Sequence, residues 1–176
     1  MTKLELIIGP MFSGKSTEII RRIRLLNKIN KKVLVVKPTI DNRYITNKVT
    51  THNFDSVDCL VVTNLSEINN IIKDYDTLVI DEGQFFSDLK ENVINWINDI
   101  NIIVAGLDGD FQRKPFGQIL ELIPYSDKCY KLSSLCNICN DGTKAPFSFR
   151  KIKTDDTILV GGEESYIPVC RKHYKL

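Results

Sequence analysis

Short apolar runs alternate with amphipathic stretches over the first two thirds of the chain. The runs that predict strands are 4–8, 33–36, 59–62, 78–82 and 102–107, the fourth of which ends in two acids. Because these runs are continuously apolar rather than alternating, they are typical of strands that are buried on both faces. The pattern therefore predicts an α/β fold with a parallel sheet and helices on both of its faces.

Three stretches between these runs have helical periodicity. The first follows the opening strand and carries Ile19, Ile20, Ile23 and Leu26. The second is expected to begin at a capping Ser66, and the third spans 87–100 with its apolar residues on one side. The segment 41–53 is polar and aperiodic, and it is predicted to be a long loop.

The pattern changes near Pro124, beyond which no strong helical period occurs. Strand-like pieces follow at 128–132, 145–150 and 157–160. We therefore predict two units: a nucleotide-binding α/β domain over 1–125, and a small β domain over 126–176.

Composition limits the classes of protein to consider. The 176 residues are 43% hydrophobic and 26% charged, as in soluble globular proteins. The net charge of +2 gives no argument for a nucleic-acid or membrane partner. The chain enters a predicted strand at once, which leaves no room for a signal peptide, so a cytoplasmic location is expected. Five cysteines without a secretion signal favour thiolate chemistry or metal binding over disulfides.

The motif G-x-x-x-x-G-K-S extends from Gly9 to Ser16, between a predicted strand and a predicted helix. In such a loop the backbone N–H groups converge on phosphate oxygens, and the helix N-terminus adds its dipole. Lys15 supplies a cation for the β- and γ-phosphates, and the Ser16 hydroxyl can ligate Mg²⁺. A chance match in a glycine-containing turn is the alternative, but the strand–helix context favours binding of a nucleoside triphosphate.

The strand over 78–82 ends in Asp81 and Glu82. In phosphate-loop enzymes a second strand carries an acid that holds the magnesium shell, and Asp81 is the candidate. Adjacent residues at a strand end point in different directions, so Glu82 can face a nucleophile while its neighbour serves the metal. Its carboxylate can then take the proton of an attacking hydroxyl. An ordinary solvated strand end is the alternative for this pair.

Two ligand pairs occur near the C-terminus, Cys136 with Cys139 and Cys170 with His173. Three thiolates and one imidazole complete a tetrahedral zinc shell, so the metal should be structural. Zinc would then join the ends of the segment 140–169. The alternative is a set of unrelated thiols with a tail histidine. Cys59 and Cys129 have apolar surroundings and are expected in the core.

Two further segments are candidates for substrate contact. The stretch 106–117 follows the last predicted parallel strand, at the edge where such sheets bind ligands. Phe111 and Phe116 could hold a flat ring between them, with Arg113 or Lys114 near phosphate, although a Phe-rich turn taken alone more often reflects plain packing. In the segment 41–44, Arg43 is a candidate transition-state clamp or an ordinary charged turn residue.

Taken together, these motifs resemble those of cytosolic-type (type II) thymidine kinases over nearly the whole chain. The residues that carry the resemblance are 9–17, 41–44, 81–86, 107–109, 111–116, 161–162 and 170–172. Departures from the family pattern are Asp110 where Thr is frequent, Ser148 where Thr is common, and His173 in place of Cys.

The resemblance implies a phosphate-loop, RecA-like sheet with a small C-terminal zinc ribbon. It also implies that the segment between the two ligand pairs, 140–169, is a lasso that closes over the nucleoside with main-chain hydrogen bonds. It implies transfer of the γ-phosphate of ATP, with Mg²⁺, to the 5′-hydroxyl of thymidine or deoxyuridine, in pyrimidine deoxynucleotide salvage for DNA synthesis. It also implies Glu82 as general base, Arg43 as a phosphoryl clamp, structural Zn²⁺, a homotetramer, and feedback inhibition by thymidine triphosphate. Binding to nucleic acid or membrane is not expected.

The resemblance assigns further residues to the two substrates. Those implied for ATP phosphate binding are Gly9, Pro10, Met11, Phe12, Ser13, Gly14, Lys15, Ser16 and Thr17. Those implied for nucleoside binding are Met11, Phe85, Leu107, Phe111, Phe116, Ser148, Thr157, Leu159, Val160, Gly161 and Tyr166.

Two other function classes fit parts of the sequence. A phosphate-loop ATPase that works on a polymer would use Glu82 to activate water, but this chain has little room for coupling domains. A nucleic-acid-binding module built on the zinc unit is opposed by the absence of a Lys/Arg-rich stripe in that part of the sequence. ATP turnover measured with and without thymidine or single-stranded DNA separates the three classes.

Overall fold

A computed structural model describes residues 1–40, 47–50, 55–152, 161–162 and 164–175. It has an α/β architecture with a central parallel sheet and few helices. The strands are β1 Leu4–Ile8, β2 Val33–Pro38, β3 Lys48–Thr50, β4 Ser56–Asp58, β5 Leu60–Val62, β6 Thr77–Ile80, β7 Asn101–Gly106, β8 Lys128–Lys131, β9 Ser134–Leu135, β10 Lys144–Ala145, β11 Phe147–Arg150 and β12 Tyr166–Val169. The α-helices are α1 Lys15–Lys28 and α2 Leu89–Trp96, with 3₁₀ turns at Leu65–Ile68, Ile72–Asp74, Gly83–Phe85 and Ile119–Tyr125.

The central sheet, within the described residues, has the strand order β5-β2-β6-β7-β1-β8. Each neighbouring pair in it is parallel, as in the β1–β7 register from Leu4 opposite Ile102 to Ile8 opposite Gly106. Because all strands run the same way, the segments that follow β1, β2, β6 and β7 leave the sheet at one edge. The predicted parallel sheet is confirmed. The phosphate-binding motif follows β1 and the two acids follow β6, so both lie at this edge.

Apolar side chains cover both faces of this sheet. On one face, Ile7 of β1 belongs to a cluster with Ile19 and Ile23 of α1. On the other face, Leu6 belongs to a cluster with Leu89 and other residues of α2. All five side chains are almost fully buried. Each contributes about 1.5–3 kcal/mol by leaving water, so burial on both faces fixes the sheet between the helices, as the continuous apolar runs predict.

Two predicted helices differ from the observed ones. The stretch 87–100 forms only the short helix α2, which ends at Trp96 in a turn where the N–H of Ile100 donates to Trp96 O. Ser66 does not cap a helix, because the Glu67 carboxylate accepts the N–H groups of Thr63 and Asn64. That bonding starts a 3₁₀ turn at Leu65, one residue before the predicted cap.

The strands β8 and β3 differ from their predicted assignments. β8 was assigned to the second unit, yet it pairs in parallel with β1 and belongs to the central sheet. Its four residues are all exposed, so the sequence carries no apolar signal that ties it to the sheet. β3 lies in the predicted loop 41–53 and pairs with β4. The predicted strand 157–160 lies outside the described residues, and the division into two domains stays a prediction.

The C-terminal part contains two small antiparallel sheets. β9 pairs with β10, and β11 pairs with β12 with Phe147 opposite Val169. A separate apolar cluster joins these strands to the cysteines and to Tyr174. Across the part of the chain that is described, no helix combines the length and apolar character needed to cross a bilayer.

Candidate functional site

The loop between β1 and α1 curls around the side chain of Lys15. The ammonium of Lys15 donates to the carbonyl oxygens of Pro10 at 2.7 Å and Gly9 at 3.2 Å, and the residue is only 8% exposed. The Ser13 hydroxyl also donates to Pro10 O, at 2.8 Å. Gly9 has a φ of 152°, and a Cβ there would lie 2.7 Å from the carbonyl oxygen of Leu132. Only glycine fits this close approach, so the loop has a fixed shape with a buried cation inside it.

The two acids follow β6 at the same edge of the sheet as this loop, with β7 between the two strands. Asp81 is 5% exposed, and its N–H donates to Val36 O at 2.9 Å. Glu82 has a φ of 51° and a ψ of 42°, a left-handed conformation that is uncommon for a residue with a side chain. Such strain, of order 1–3 kcal/mol, persists where the surroundings hold the residue, and it concentrates at functional sites.

Gln84 links Glu82 to the neighbouring strand. Its amide Nε2 donates to Glu82 Oε2 at 2.6 Å, and its Oε1 accepts the N–H of Leu107 at 2.9 Å. Gln84 is 4% exposed. The sequence does not predict a role for Gln84, because this contact depends on how the turn after β6 packs against the end of β7.

Several residues predicted for the nucleoside pocket meet near this point. The ring of Phe85 packs edge-to-face against Phe116, with 5.4 Å between the centroids. The guanidinium of Arg150 lies 3.5 Å from the centroid of Phe111, so it covers one face of that ring. A base held between Phe111 and Phe116 stays a prediction, and Arg150, which is buried, is a neighbour that sequence reasoning missed.

The end of the chain contacts the segment after β7. The Tyr174 hydroxyl donates to the carbonyl oxygen of Phe111, and the guanidinium of Arg113 lies 4.1 Å from the centre of the Tyr174 ring. Arg113, which was considered for phosphate contact, therefore packs on an aromatic side chain beside the cysteine cluster. The position of Tyr174, next to the predicted ligand His173, was the available signal for this contact.

The phosphate-binding motif also contacts the C-terminal part directly. The N–H of Met11 donates to the Ser148 hydroxyl at 2.9 Å, and Ser148 is 6% exposed. Beside the loop lies a cavity of about 480 Å³ that Tyr166 helps to line. Its lining includes Phe12, Ser13, Gly14, Asn137, Lys144 and Tyr166. The structure thus brings Met11, Ser148 and Tyr166, three of the predicted nucleoside residues, to the same loop.

The four predicted zinc ligands form one cluster. The ligand atoms of Cys136, Cys139, Cys170 and His173 all lie within 4.8 Å of one another. The Cys139 and Cys170 sulfurs are 3.7 Å apart, and each is 3.3–3.4 Å from His173 Nδ1. Tetrahedral bonds of about 2.3 Å to sulfur and 2.0–2.1 Å to nitrogen give ligand separations of roughly 3.5–3.8 Å. The cluster therefore has the size and chemistry of a structural zinc site.

The thiols of this cluster differ in acidity. Burial opposes ionisation of Cys136, but N–H groups of Cys139 and Cys170 stabilise the thiolate and lower its pKa to about 6. Burial and the neighbouring sulfurs raise the pKa of Cys139. One thiolate thus disfavours the next, and a divalent cation would relieve that repulsion.

The structure describes only some of the remaining predicted residues. Arg43, Thr157, Leu159 and Val160 lie outside the described residues. Gly161 is described and lies just before Gly162, whose carbonyl oxygen accepts the N–H of Tyr166 at 3.0 Å. The prediction that Cys59 is buried is confirmed, whereas Cys129 is exposed because it lies on the edge strand β8.

Comparison with known proteins gives a consistent result. The family model described as "Thymidine kinase" matches residues 2–174. The thymidine kinase of vaccinia virus (strain Western Reserve) is 44% identical over 172 residues, which cover 97% of this chain and 96% of that protein. The thymidine kinase of monkeypox virus has the same identity and coverage. Thymidine kinase 1 of Dictyostelium discoideum is 39% identical over 181 residues, covering 98% of this chain and 77% of that protein.

Proposed function

Because the chain belongs to the thymidine kinase family, we propose that the sheet edge after β1, β6 and β7 is its active site. The family reaction is phosphorylation of thymidine by ATP, and this protein is a nucleoside kinase. The observation that carries the assignment is the common edge of the parallel sheet, where the Lys15 loop, the two acids and the aromatic residues all follow strand ends.

The loop 9–17 binds the phosphates of ATP in this proposal, as expected for a phosphate-loop, RecA-like fold. Its backbone N–H groups and the N-terminus of α1 supply partial positive charge, and Lys15 adds a full one. Ser16 and Asp81 would hold Mg²⁺, which neutralises charge on the phosphates when bound. The burial of Lys15 and of Asp81 supports these roles, because charges excluded from water interact more strongly.

Glu82 is the general base, and Arg43 steadies the phosphoryl group. The 5′-hydroxyl oxygen of the nucleoside bonds to the γ-phosphorus of ATP as the bond to the leaving ADP oxygen breaks. The hydroxyl proton passes to the Glu82 carboxylate. The hydrogen bond from Gln84 supports this role, because it restricts the Glu82 carboxylate at the strand end. The left-handed backbone of Glu82 also supports it, because such strain concentrates at functional sites.

The nucleoside lies between the segment after β7 and the C-terminal part. Phe85, Leu107, Phe111 and Phe116 contribute from the first side. Met11, Ser148, Tyr166 and the lasso residues Thr157, Leu159, Val160 and Gly161 contribute from the other. The contacts of Ser148 with Met11 support this placement. Backbone groups of the lasso read the edge of the pyrimidine, and deoxyuridine is a second substrate.

The remaining properties follow the family expectation. The cluster of three cysteines and His173 holds one structural Zn²⁺ and supports the C-terminal domain. That domain is proposed to cover 126–176, with its first strand, β8, added to the central sheet of the other domain. The protein acts in the cytoplasm as a homotetramer, and thymidine triphosphate inhibits it. Neither nucleic acid nor membrane is a partner.

A panel of deoxynucleosides tests the proposed function. We expect ATP-dependent phosphorylation of thymidine and deoxyuridine, weak use of deoxycytidine, and no use of purine deoxynucleosides. Cytosine has an amino group where thymine has a carbonyl, which leaves a buried polar group unpaired at a cost of about 1–3 kcal/mol. The measurement is kcat/KM for each nucleoside at saturating ATP. Equal use of deoxycytidine and thymidine would contradict base reading by the lasso.

A further inference from the structure

Gln84 connects the proposed general base to the end of β7, although none of the site's functions has been assigned to it. It occupies the 3₁₀ turn Gly83–Phe85, which begins directly after Glu82. Its side chain is buried and spans from Glu82 to the end of β7. The amide nitrogen therefore donates one hydrogen bond and the amide oxygen accepts another.

The two hydrogen bonds have different kinds of partner. Leu107 N–H is a backbone group at the end of a strand whose residues are almost all buried, so it is a rigid anchor for Oε1. With Oε1 fixed, the planar amide aims Nε2 at Glu82 Oε2, 2.6 Å away. A hydrogen bond to an ionised carboxylate is stronger than one between two neutral groups, and it restricts the rotation of the carboxylate.

The backbone of β7 approaches the Gln84 amide so closely that a side chain at Gly106 would not fit. A Cβ at Gly106 would lie 2.2 Å from Gln84 Oε1. The absence of a side chain at Gly106 is therefore what allows the amide to reach Leu107 N–H. The contact with the end of β7 thus depends on one specific residue in that strand.

We infer that Gln84 is a positioning residue that holds the Glu82 carboxylate in the orientation needed to accept the proton of the nucleoside 5′-hydroxyl. This inference rests on the proposed role of Glu82. Gln84 touches neither substrate in this account, so it acts on the rate of the chemical step and not on binding. Misplacement of a reacting group by about 1 Å can cost on the order of 10²-fold in rate.

Gln84→Met keeps the length and burial of the side chain but removes both hydrogen bonds. We expect kcat to fall about 10- to 100-fold while the KM values for thymidine and ATP stay within about twofold. The matched control is Gln118→Met, because Gln118 Oε1 also accepts a backbone N–H, that of Lys90 at 2.9 Å. The control should lose comparable thermal stability and keep wild-type kcat. An unchanged kcat in Gln84→Met would overturn the inference.

A double-mutant cycle separates positioning from general support of the fold. In the Glu82→Gln background, Gln84→Met should lower the residual kcat by less than about twofold, because the group that it positions is no longer a base. A purely structural role predicts the same proportional loss in both backgrounds, and that result would overturn the inference.

Gly106→Ala provides an independent variant that leaves both Glu82 and Gln84 in the sequence. Its methyl group should displace the Gln84 amide and lower kcat, and combining it with Gln84→Met should add no further loss. Additive losses would contradict the inference. Full activity of Glu82→Gln would instead remove the general base from the proposed function, a failure distinct from that of the positioning role.

Discussion

Ser148 shows how one residue connects two parts of the molecule that are distant in sequence. Its hydroxyl accepts the N–H of Met11, across a separation of 137 residues. For Ser148 the resemblance to the family implies only a contact with the nucleoside, at a position where Thr is common. The structure adds a second role, in which the hydroxyl shared by Ser and Thr holds the backbone of the phosphate-binding motif.

Replacement of this hydroxyl tests that second role. Ser148→Ala leaves the partly buried N–H of Met11 unpaired, so we expect a loss of about 1 kcal/mol in the free energy of unfolding and a higher KM for ATP. Ser148→Thr is the matched control, since it keeps the hydroxyl and should keep the stability. Urea denaturation and steady-state kinetics measure the two quantities. Equal stability of the Ala and Thr variants would contradict the role.

At the scale of secondary-structure elements, one cluster of four side chains connects the C-terminal strands to one another. The cluster Cys136, Cys139, Cys170 and His173 joins the turn after β9 to the end of β12. Tyr174 follows immediately and binds Phe111 in the segment after β7. The cysteine–histidine cluster is therefore connected to the proposed pocket through Tyr174, and we expect order in the segment after β7 to depend on zinc binding at the cluster.

Metal removal tests this dependence. The purified protein should contain about one Zn²⁺ per chain, because four ligands complete one tetrahedral shell. Cys139→Ser should lower the zinc content and increase amide hydrogen exchange in the C-terminal strands and at residues 111–114, while β1, β6 and β7 stay protected. Cys129→Ser, on the exposed edge strand, is the control and should retain zinc. Folded, fully active protein without zinc would rule out this structural role.

The elements also show what could be predicted from sequence. Strands buried on both faces, such as β1 and β7, have continuous apolar runs, and their positions were predicted to within one or two residues. β8 could not be assigned to the sheet, because all its residues are exposed and only its backbone pairs with β1. The helix predicted over 87–100 is longer than the observed helix, because the apolar periodicity continues through the turn after Trp96.

At the scale of the whole molecule, the parallel sheet determines which residues can meet. The motifs at Gly9–Ser16 and Asp81–Glu82 could be read from the chain as separate pieces. Their placement on one edge follows from the parallel direction of the strands, which the apolar runs already predict. The contacts of Gln84, Tyr174 and Ser148 could not be predicted, because each depends on the packing of segments that are far apart in sequence or in different strands.

The proposed mechanism depends most on Glu82, which removes the proton of the nucleoside 5′-hydroxyl during phosphate transfer. The most direct measurement is thymidine phosphorylation by Glu82→Gln, with ATP binding measured in parallel. The amide keeps the shape of the side chain but cannot accept the proton, so we expect kcat to fall on the order of 10²–10⁴-fold while ATP binds as in the wild type. Thymidine phosphorylation near the wild-type rate in this variant would contradict the account.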